Sequence, residues 1–89
     1  MVNGIPVKNV DVVWRDIEGE AILLDPRKGK YFGLNEVGCS FWKMADGKRS
    51  MEEIVSLLLE EYEVGRGTLL NDLNNLVHVL EDNGLLSIK

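Results

Sequence analysis

The chain has 89 residues, of which 45% are hydrophobic and 28% are charged. These values are typical of one folded domain with its own core, so we expect a single domain over residues 1–89 that frays only over residues 1–9. Asp and Glu number 15 against 10 Lys and Arg, giving a net charge of −5, which argues against nucleic acid as the main partner because binding phosphates requires cations.

Three β-strands are predicted in the first part of the chain. In the first, Val10–Ile17, the apolar side chains of Val10, Val12 and Trp14 alternate with polar ones, which predicts a strand with one buried face. The second, Glu20–Asp25, is apolar on both faces and is therefore predicted to be a middle strand that is covered on each side.

A short turn should connect this strand to the third one, Lys30–Leu34. Pro26 has the backbone angle that the second position of a turn requires, and Gly29 can adopt positive φ. A β-hairpin is therefore expected.

Three helices follow the strands. Asn35 is predicted to cap the first helix, which ends before ADGKR, and Ser50 with Glu53 forms a capping-box pattern for a second helix ending near Tyr62. The third helix is expected to run from a cap at Thr68 to Asp82. Its apolar stripe comprises Leu69, Leu73, Leu76 and Leu80.

The order of the elements predicts the fold class. Three antiparallel strands followed by three short helices indicate an α+β domain that resembles a winged helix-turn-helix. The last residues, LLSIK, could form a short final strand or a tail.

Few side chains in the sequence are suited to catalysis. Cys39 and His78 are the only cysteine and histidine; Cys39 is expected to be buried in an apolar helix and His78 to be exposed. Neither has partners at metal-ligand spacing, and no glycine-rich phosphate loop is present. We therefore expect no enzymatic activity, metal or cofactor.

The predicted helix arrangement is compatible with DNA binding, but the charge of the third helix argues against it. The predicted third helix carries Asp72, Glu81 and Asp82 and no Lys or Arg, so it would repel the phosphate backbone. A single cysteine fits a reducing compartment, and no apolar run is long enough to cross a membrane. The cytoplasm is the expected location.

The third strand is a candidate binding surface. If it lies at the edge of the sheet, its unpaired backbone groups could accept a strand from a partner. Alternatively, Phe32 and Leu34 fill the core and a loop covers part of Tyr31; the residues alone leave both interpretations open.

The stretch GEAILLDPRKGKYFGLNEVGCSFWKMADGKRSMEEI, followed by EEYEV, Asp72 and LVHVLEDNGLL, closely resembles the PqqD-like family of peptide recognition elements. The resemblance implies a non-catalytic protein that binds the leader segment of a ribosomally made precursor peptide. In the family, the leader adds as an antiparallel strand to the third strand and lies against the third helix. The contact residues that this implies here are Lys30, Tyr31, Phe32, Gly33 and Leu34 on the strand, and Leu69, Asp72, Leu76, Val79 and Leu80 on the helix.

The resemblance also implies a protein partner. The stretch DPRKGKYFGLNEVG is more similar to the stand-alone recognition proteins of lasso peptide clusters than to the pyrroloquinoline quinone branch, which usually shows PE before this strand. The lasso proteins work beside a separate leader-cleaving cysteine protease or another modifying enzyme.

Overall fold

The computed structural model describes residues 3–89. They form a three-stranded antiparallel sheet whose strands lie in chain order, followed by three helices, so the predicted α+β fold is confirmed. The elements are β1 (Pro6–Lys8), β2 (Val13–Ile17), β3 (Glu20–Asp25), β4 (Lys30–Leu34), α1 (Glu36–Met44), α2 (Met51–Glu61), α3 (Arg66–Asp82) and β5 (Leu86–Ile88).

The core lies between one face of the sheet and the three helices. Leu23 of β3 is fully buried, as are Phe41 and Trp42 of α1. Full burial of an aliphatic or aromatic side chain of this size contributes ~1.5–3 kcal/mol, so this layer is the main source of stability. The helices contribute most of the other buried apolar residues, which include Ile54, Val55, Leu58, Leu69, Leu73, Val77 and Leu80.

The predicted N-caps of α1 and α2 are confirmed. The Asn35 side chain accepts a hydrogen bond of 2.8 Å from the backbone N–H of Gly38 and begins α1. Ser50 and Glu53 form the capping box of α2, which ends at Glu61. These local hydrogen bonds satisfy donors that a helix terminus otherwise leaves unpaired.

The first predicted strand begins three residues too early. Val10 is 94% exposed, and β2 starts only at Val13. The Asn9 side chain accepts a hydrogen bond from the N–H of Asp11, and the Asn9 carbonyl accepts one from Val12. Residues 9–12 therefore form a turn, although their side chains alternate as in a strand.

The chain ends form a second, two-stranded sheet. β1, which falls within residues 1–9, pairs antiparallel with β5 through Pro6 opposite Ile88 and Lys8 opposite Leu86. Residues 1 and 2 lie outside the described part. The C-terminal residues thus form the short strand that the sequence left open, and they pair with β1 rather than with β4.

The prediction that β3 is covered on both faces is wrong. Ile22 points away from the helices and is 42% exposed. We call this uncovered side of the sheet the outer face. Strand alternation and the register place on it Val13, Arg15, Ile17, Glu20, Ile22, Leu24, Tyr31 and Gly33.

The third helix starts earlier than predicted. Its N-cap is Gly65, which has no side chain to cap the helix, and α3 begins at Arg66, so Thr68 lies inside the helix. Its end at Asp82 agrees with the prediction. Within residues 3–89, no helix is both long and apolar enough to span a membrane.

Candidate functional site

β4 is an edge strand of the three-stranded sheet. It pairs with β3 on one side, with Ile22 opposite Gly33 and Leu24 opposite Tyr31. Among residues 3–89, no backbone hydrogen bond outside this pairing involves Lys30–Leu34. Alternate N–H and C=O groups of β4 therefore face solvent and can pair with an added strand.

A cavity of about 510 Å³ lies beside the end of β4, between the start of α1 and residues 69–76 of α3. We call it the cleft. Most of the side chains around it are aliphatic, and Asp72 supplies a carboxylate. It is lined by Gly33, Leu34, Asn35, Val37, Gly38, Val64, Leu69, Asp72, Leu73 and Leu76.

The structure brings half of the predicted site residues together around the cleft, namely Gly33, Leu34, Leu69, Asp72 and Leu76. The other three strand residues continue along β4: Lys30 and Tyr31 are exposed, and Phe32 is half-buried against the core. Two predicted helix residues do not line the cleft. Val79 is 49% exposed outside it, and Leu80 is 1% exposed within the core.

Sequence reasoning missed the contribution of α1 to the cleft. Gly38 lies inside α1, where glycine is unfavourable by ~1 kcal/mol relative to alanine. A β-carbon at this position would lie 3.3 Å from the Leu34 Cβ and 3.5 Å from a Leu76 methyl carbon. The contact with Leu34 would be unusually tight, so this glycine lets the start of α1 lie close to the end of β4. An unexplained glycine within a helix was the signal that could have identified it.

Two charged side chains near β4 have no ion-pair partner within residues 3–89. They are Lys30 at the start of the strand and Asp72 in the cleft. The ion pairs in this part of the chain lie elsewhere and join Arg27 to Asp25, Lys43 to Asp16, and Arg49 to Asp46. Both charges are therefore free to interact with a ligand.

The turn that leads into β4 is held by Asp25, which is 1% exposed. Its carboxylate accepts hydrogen bonds from the backbone N–H of Arg27 at 3.0 Å and from the Arg27 Nε at 3.4 Å, and its carbonyl accepts one from Gly29 at 2.8 Å. Burial raises the pKa of Asp25, but the hydrogen bonds and the charge of Arg27 outweigh it and hold the pKa below its ordinary value.

The lowered pKa predicts how this turn responds to acid. The Asp25 carboxylate stabilises the fold above its unfolded-state pKa of ~3.9, and this contribution is lost as the pH falls through the lower folded-state value. The stability difference between the protein and Asp25→Asn should therefore be largest near neutral pH and shrink in acid. Urea unfolding midpoints at several pH values measure it, with exposed Asp11→Asn as the control; a difference that is constant with pH contradicts this prediction.

Cys39 and His78 lie where the sequence predicts. Cys39 is buried in α1, and burial raises the pKa of its thiol, which disfavours the reactive thiolate. His78 is exposed on α3 and does not line the cleft. Neither side chain is placed to react with a molecule in the cleft.

Known proteins are similar to this chain in both sequence and fold. The sequence profile described as "Coenzyme PQQ synthesis protein D (PqqD)" matches residues 20–86. No curated protein sequence matches the chain significantly.

Two solved structures are similar over nearly the whole chain. The first, "TbiB1 in Complex with the TbiA(beta) Leader Peptide", is 38% identical, has a TM-score of 0.78, and covers 91% of this chain and 94% of its own. The second, "Lasso peptide synthetase B1 complexed with the leader peptide", is 26% identical, also with a TM-score of 0.78, and covers 92% of this chain and 96% of its own. With a profile match over most of its length and this structural similarity, the chain belongs to the PqqD family.

Proposed function

We propose that this protein is a non-catalytic adaptor that binds the leader segment of a ribosomally made precursor peptide and presents it to a maturation enzyme. The observation that carries the proposal is the free edge of β4 directly beside the cleft. An extended peptide can pair with β4 through its backbone while its side chains enter the cleft.

Backbone pairing alone does not provide the affinity. Each hydrogen bond contributes ~0.5–1.5 kcal/mol net, whereas ordering a flexible peptide costs ~1–2 kcal/mol per residue. The two terms nearly cancel over four or five residues. Side chains of the leader must therefore bury apolar surface, and the aliphatic lining of the cleft is suited to this.

The direction of the leader follows from antiparallel pairing. Such a strand enters beside Leu34 and the cleft and leaves beside Lys30. Asp72 would then meet a more N-terminal part of the leader than Lys30 does. A basic leader residue near Asp72 and an acidic one near Lys30 would fix the register of the added strand.

The two similar structures support both the ligand and the pathway. Each of those proteins is described as a complex with a leader peptide, and one is a lasso peptide synthetase component. We propose a lasso peptide leader as the ligand and a separate leader-cleaving cysteine protease or another modifying enzyme as the partner, in the cytoplasm. A pyrroloquinoline quinone precursor is the alternative that the family description favours.

The structure gives little support to a DNA-binding role. Because α3 begins at Arg66, it contains one basic side chain that the sequence prediction had excluded, but that residue lies at the first position of the helix. Asp72, Glu81 and Asp82 leave α3 with a negative net charge, which repels phosphates.

A titration tests the adaptor function. The leader of the precursor encoded beside this gene, made synthetically, is added to ¹⁵N-labelled protein. Amide signals of Lys30–Leu34 and of α3 residues at the cleft, such as Leu69 and Leu76, should shift saturably, whereas a scrambled leader should leave them unchanged. Unchanged signals with the true leader would show that this surface does not bind it.

A further inference from the structure

The outer face of the sheet continues the proposed leader site on its other side. Tyr31 is 71% exposed there, and Ile17 and Ile22 are also exposed large hydrophobic side chains. A second cavity of about 330 Å³ lies on this side, which we call the outer pocket. It is lined by Ile17, Glu20, Ala21, Ile22, Gly33, Leu34 and Asn35.

The outer pocket and the cleft meet at the end of β4. Both are lined by Gly33, Leu34 and Asn35. Successive side chains of a strand point to opposite faces of a sheet. A leader strand on β4 would therefore direct alternate side chains towards the cleft and towards the outer pocket.

Gly33 determines what the outer pocket can accept. A side chain directly opposite Gly33 in an added strand shares its face of the sheet, together with Ile22 on β3. No heavy atom lies within 4 Å of the position that a Gly33 β-carbon would occupy, so the space above this glycine is open.

The distance between an added leader strand and Ile22 favours a large leader side chain. Ile22 lies two strand spacings from the added strand, or about 10 Å between backbones. The leader side chain and the Ile22 side chain must therefore bridge this distance together. Aromatic and long side chains reach past the directly opposite residue of a sheet, to neighbours ~7–8 Å away, while small ones do not, and a large side chain can cover the backbone that an edge glycine exposes. The lining is mostly apolar, which favours an apolar occupant.

We infer that the leader residue directly opposite Gly33 has a large apolar side chain, which lies across Gly33 and contacts Ile22 on the outer face. This inference rests on the proposed function, and it adds a second specificity site to the cleft. The leader then contacts both faces of the sheet. Its apolar side chains at odd positions lie on one face, and those at even positions lie on the other.

Two substitutions test this site. The β-carbon of Gly33→Val would have no heavy atom within 4 Å, and valine has a higher β-propensity than glycine, so the fold should keep its stability while the leader affinity falls about tenfold. Ile22→Thr keeps the β-branched shape but removes apolar surface, and it should also weaken binding about tenfold. Val13→Thr is the matched control, since Val13 is exposed on the same face but lines neither the cleft nor the outer pocket; its affinity should stay within twofold.

Methyl-labelled protein provides a direct readout. With the bound leader, the Ile22 methyl signals should show intermolecular nuclear Overhauser effects to one large apolar leader residue, and its replacement by alanine should abolish the effect of Ile22→Thr on affinity. Absence of these contacts overturns the inference.

The outcomes separate the inference from the proposed function. If Leu76→Ala in the cleft weakens binding while Gly33→Val and Ile22→Thr do not, the outer pocket is not a leader site, although the adaptor function stands. If the unaltered protein fails to bind the leader, both the inference and the proposed function are wrong. If Ile22→Thr instead disrupts a dimer or the capture of a maturation enzyme at unchanged leader affinity, the outer face serves that partner and the inference is wrong.

Discussion

Leu76→Asp is expected to reduce leader affinity by about a hundredfold. Leu76 lines the cleft, where a leader side chain would bury the carboxylate away from water. Burying a charge without a partner costs several kcal/mol, and Asp72, one helical turn away, adds like-charge repulsion. Fluorescence anisotropy of a labelled synthetic leader measures the loss, and thermal unfolding monitors the fold.

Leu70→Asp provides the control for Leu76→Asp. Leu70 is also a half-buried leucine of α3, but it does not line the cleft, so the same change should lower stability with little effect on affinity. Val79→Ala distinguishes the two flanks of the helix, since Val79 is exposed beyond the cleft and should tolerate the change. An affinity within threefold of the unaltered protein for Leu76→Asp would place the leader elsewhere.

Elements marked by local hydrogen bonds were predictable from the sequence. Asn35, Ser50 and Glu53 pair with backbone groups only three residues away, so their side chains identify helix starts without knowledge of the rest of the fold. Gly65 caps α3 without a side chain, and the sequence accordingly placed the start of that helix at Thr68. The errors in helix bounds thus occur where the local chemical signal is missing.

Long-range pairing was not predictable. β1 and β5 lie about 80 residues apart in the chain, and each has only three residues, too few to show a period. The turn at Asn9 was not predictable for the same reason, because the backbone N–H of Asn9 donates to the Leu85 carbonyl near the other end of the chain. The alternation of apolar and polar side chains around Val10 resembles that of a strand, but the backbone turns at this point because Asn9 is bonded to the C-terminal part of the chain.

The site residues predicted on the strand lie along an open sheet edge, whereas only three of the five predicted on the helix line the cleft. The sequence made an edge position of β4 conditional on a strand order that follows the chain, and the order β2-β3-β4 meets that condition. Leu76 and Leu80 are one turn apart on the same stripe, yet one lines the cleft and the other is buried. Near Leu80 the core is closed by Leu85, whose N–H donates to the Leu80 carbonyl, and helical periodicity contains no information about that contact.

Backbone methylation of the leader should reduce its affinity with a period of two residues. In a strand paired with β4, every second leader N–H donates to a β4 carbonyl, and the N–H groups between them face away. A methyl group on a paired nitrogen removes a hydrogen bond and prevents the ~4.8 Å approach of the strands, so each such leader should bind more than tenfold more weakly. Methylation of the intervening residues should change affinity much less. Isothermal titration of a series of singly N-methylated leaders measures the pattern.

This series distinguishes strand addition from other ways of occupying the cleft, and it leaves the protein unaltered. A leader bound as an amphipathic helix would lose affinity at consecutive methylated positions, because every interior N–H of a helix is hydrogen-bonded within the peptide. If side chains in the cleft alone held the leader, the affinity lost at each methylated position would depend on the side chain there, and not on whether the position is odd or even. Strong effects at alternate residues, combined with the apolar contacts of Leu76, would mean that β4 sets the register and the cleft supplies the affinity.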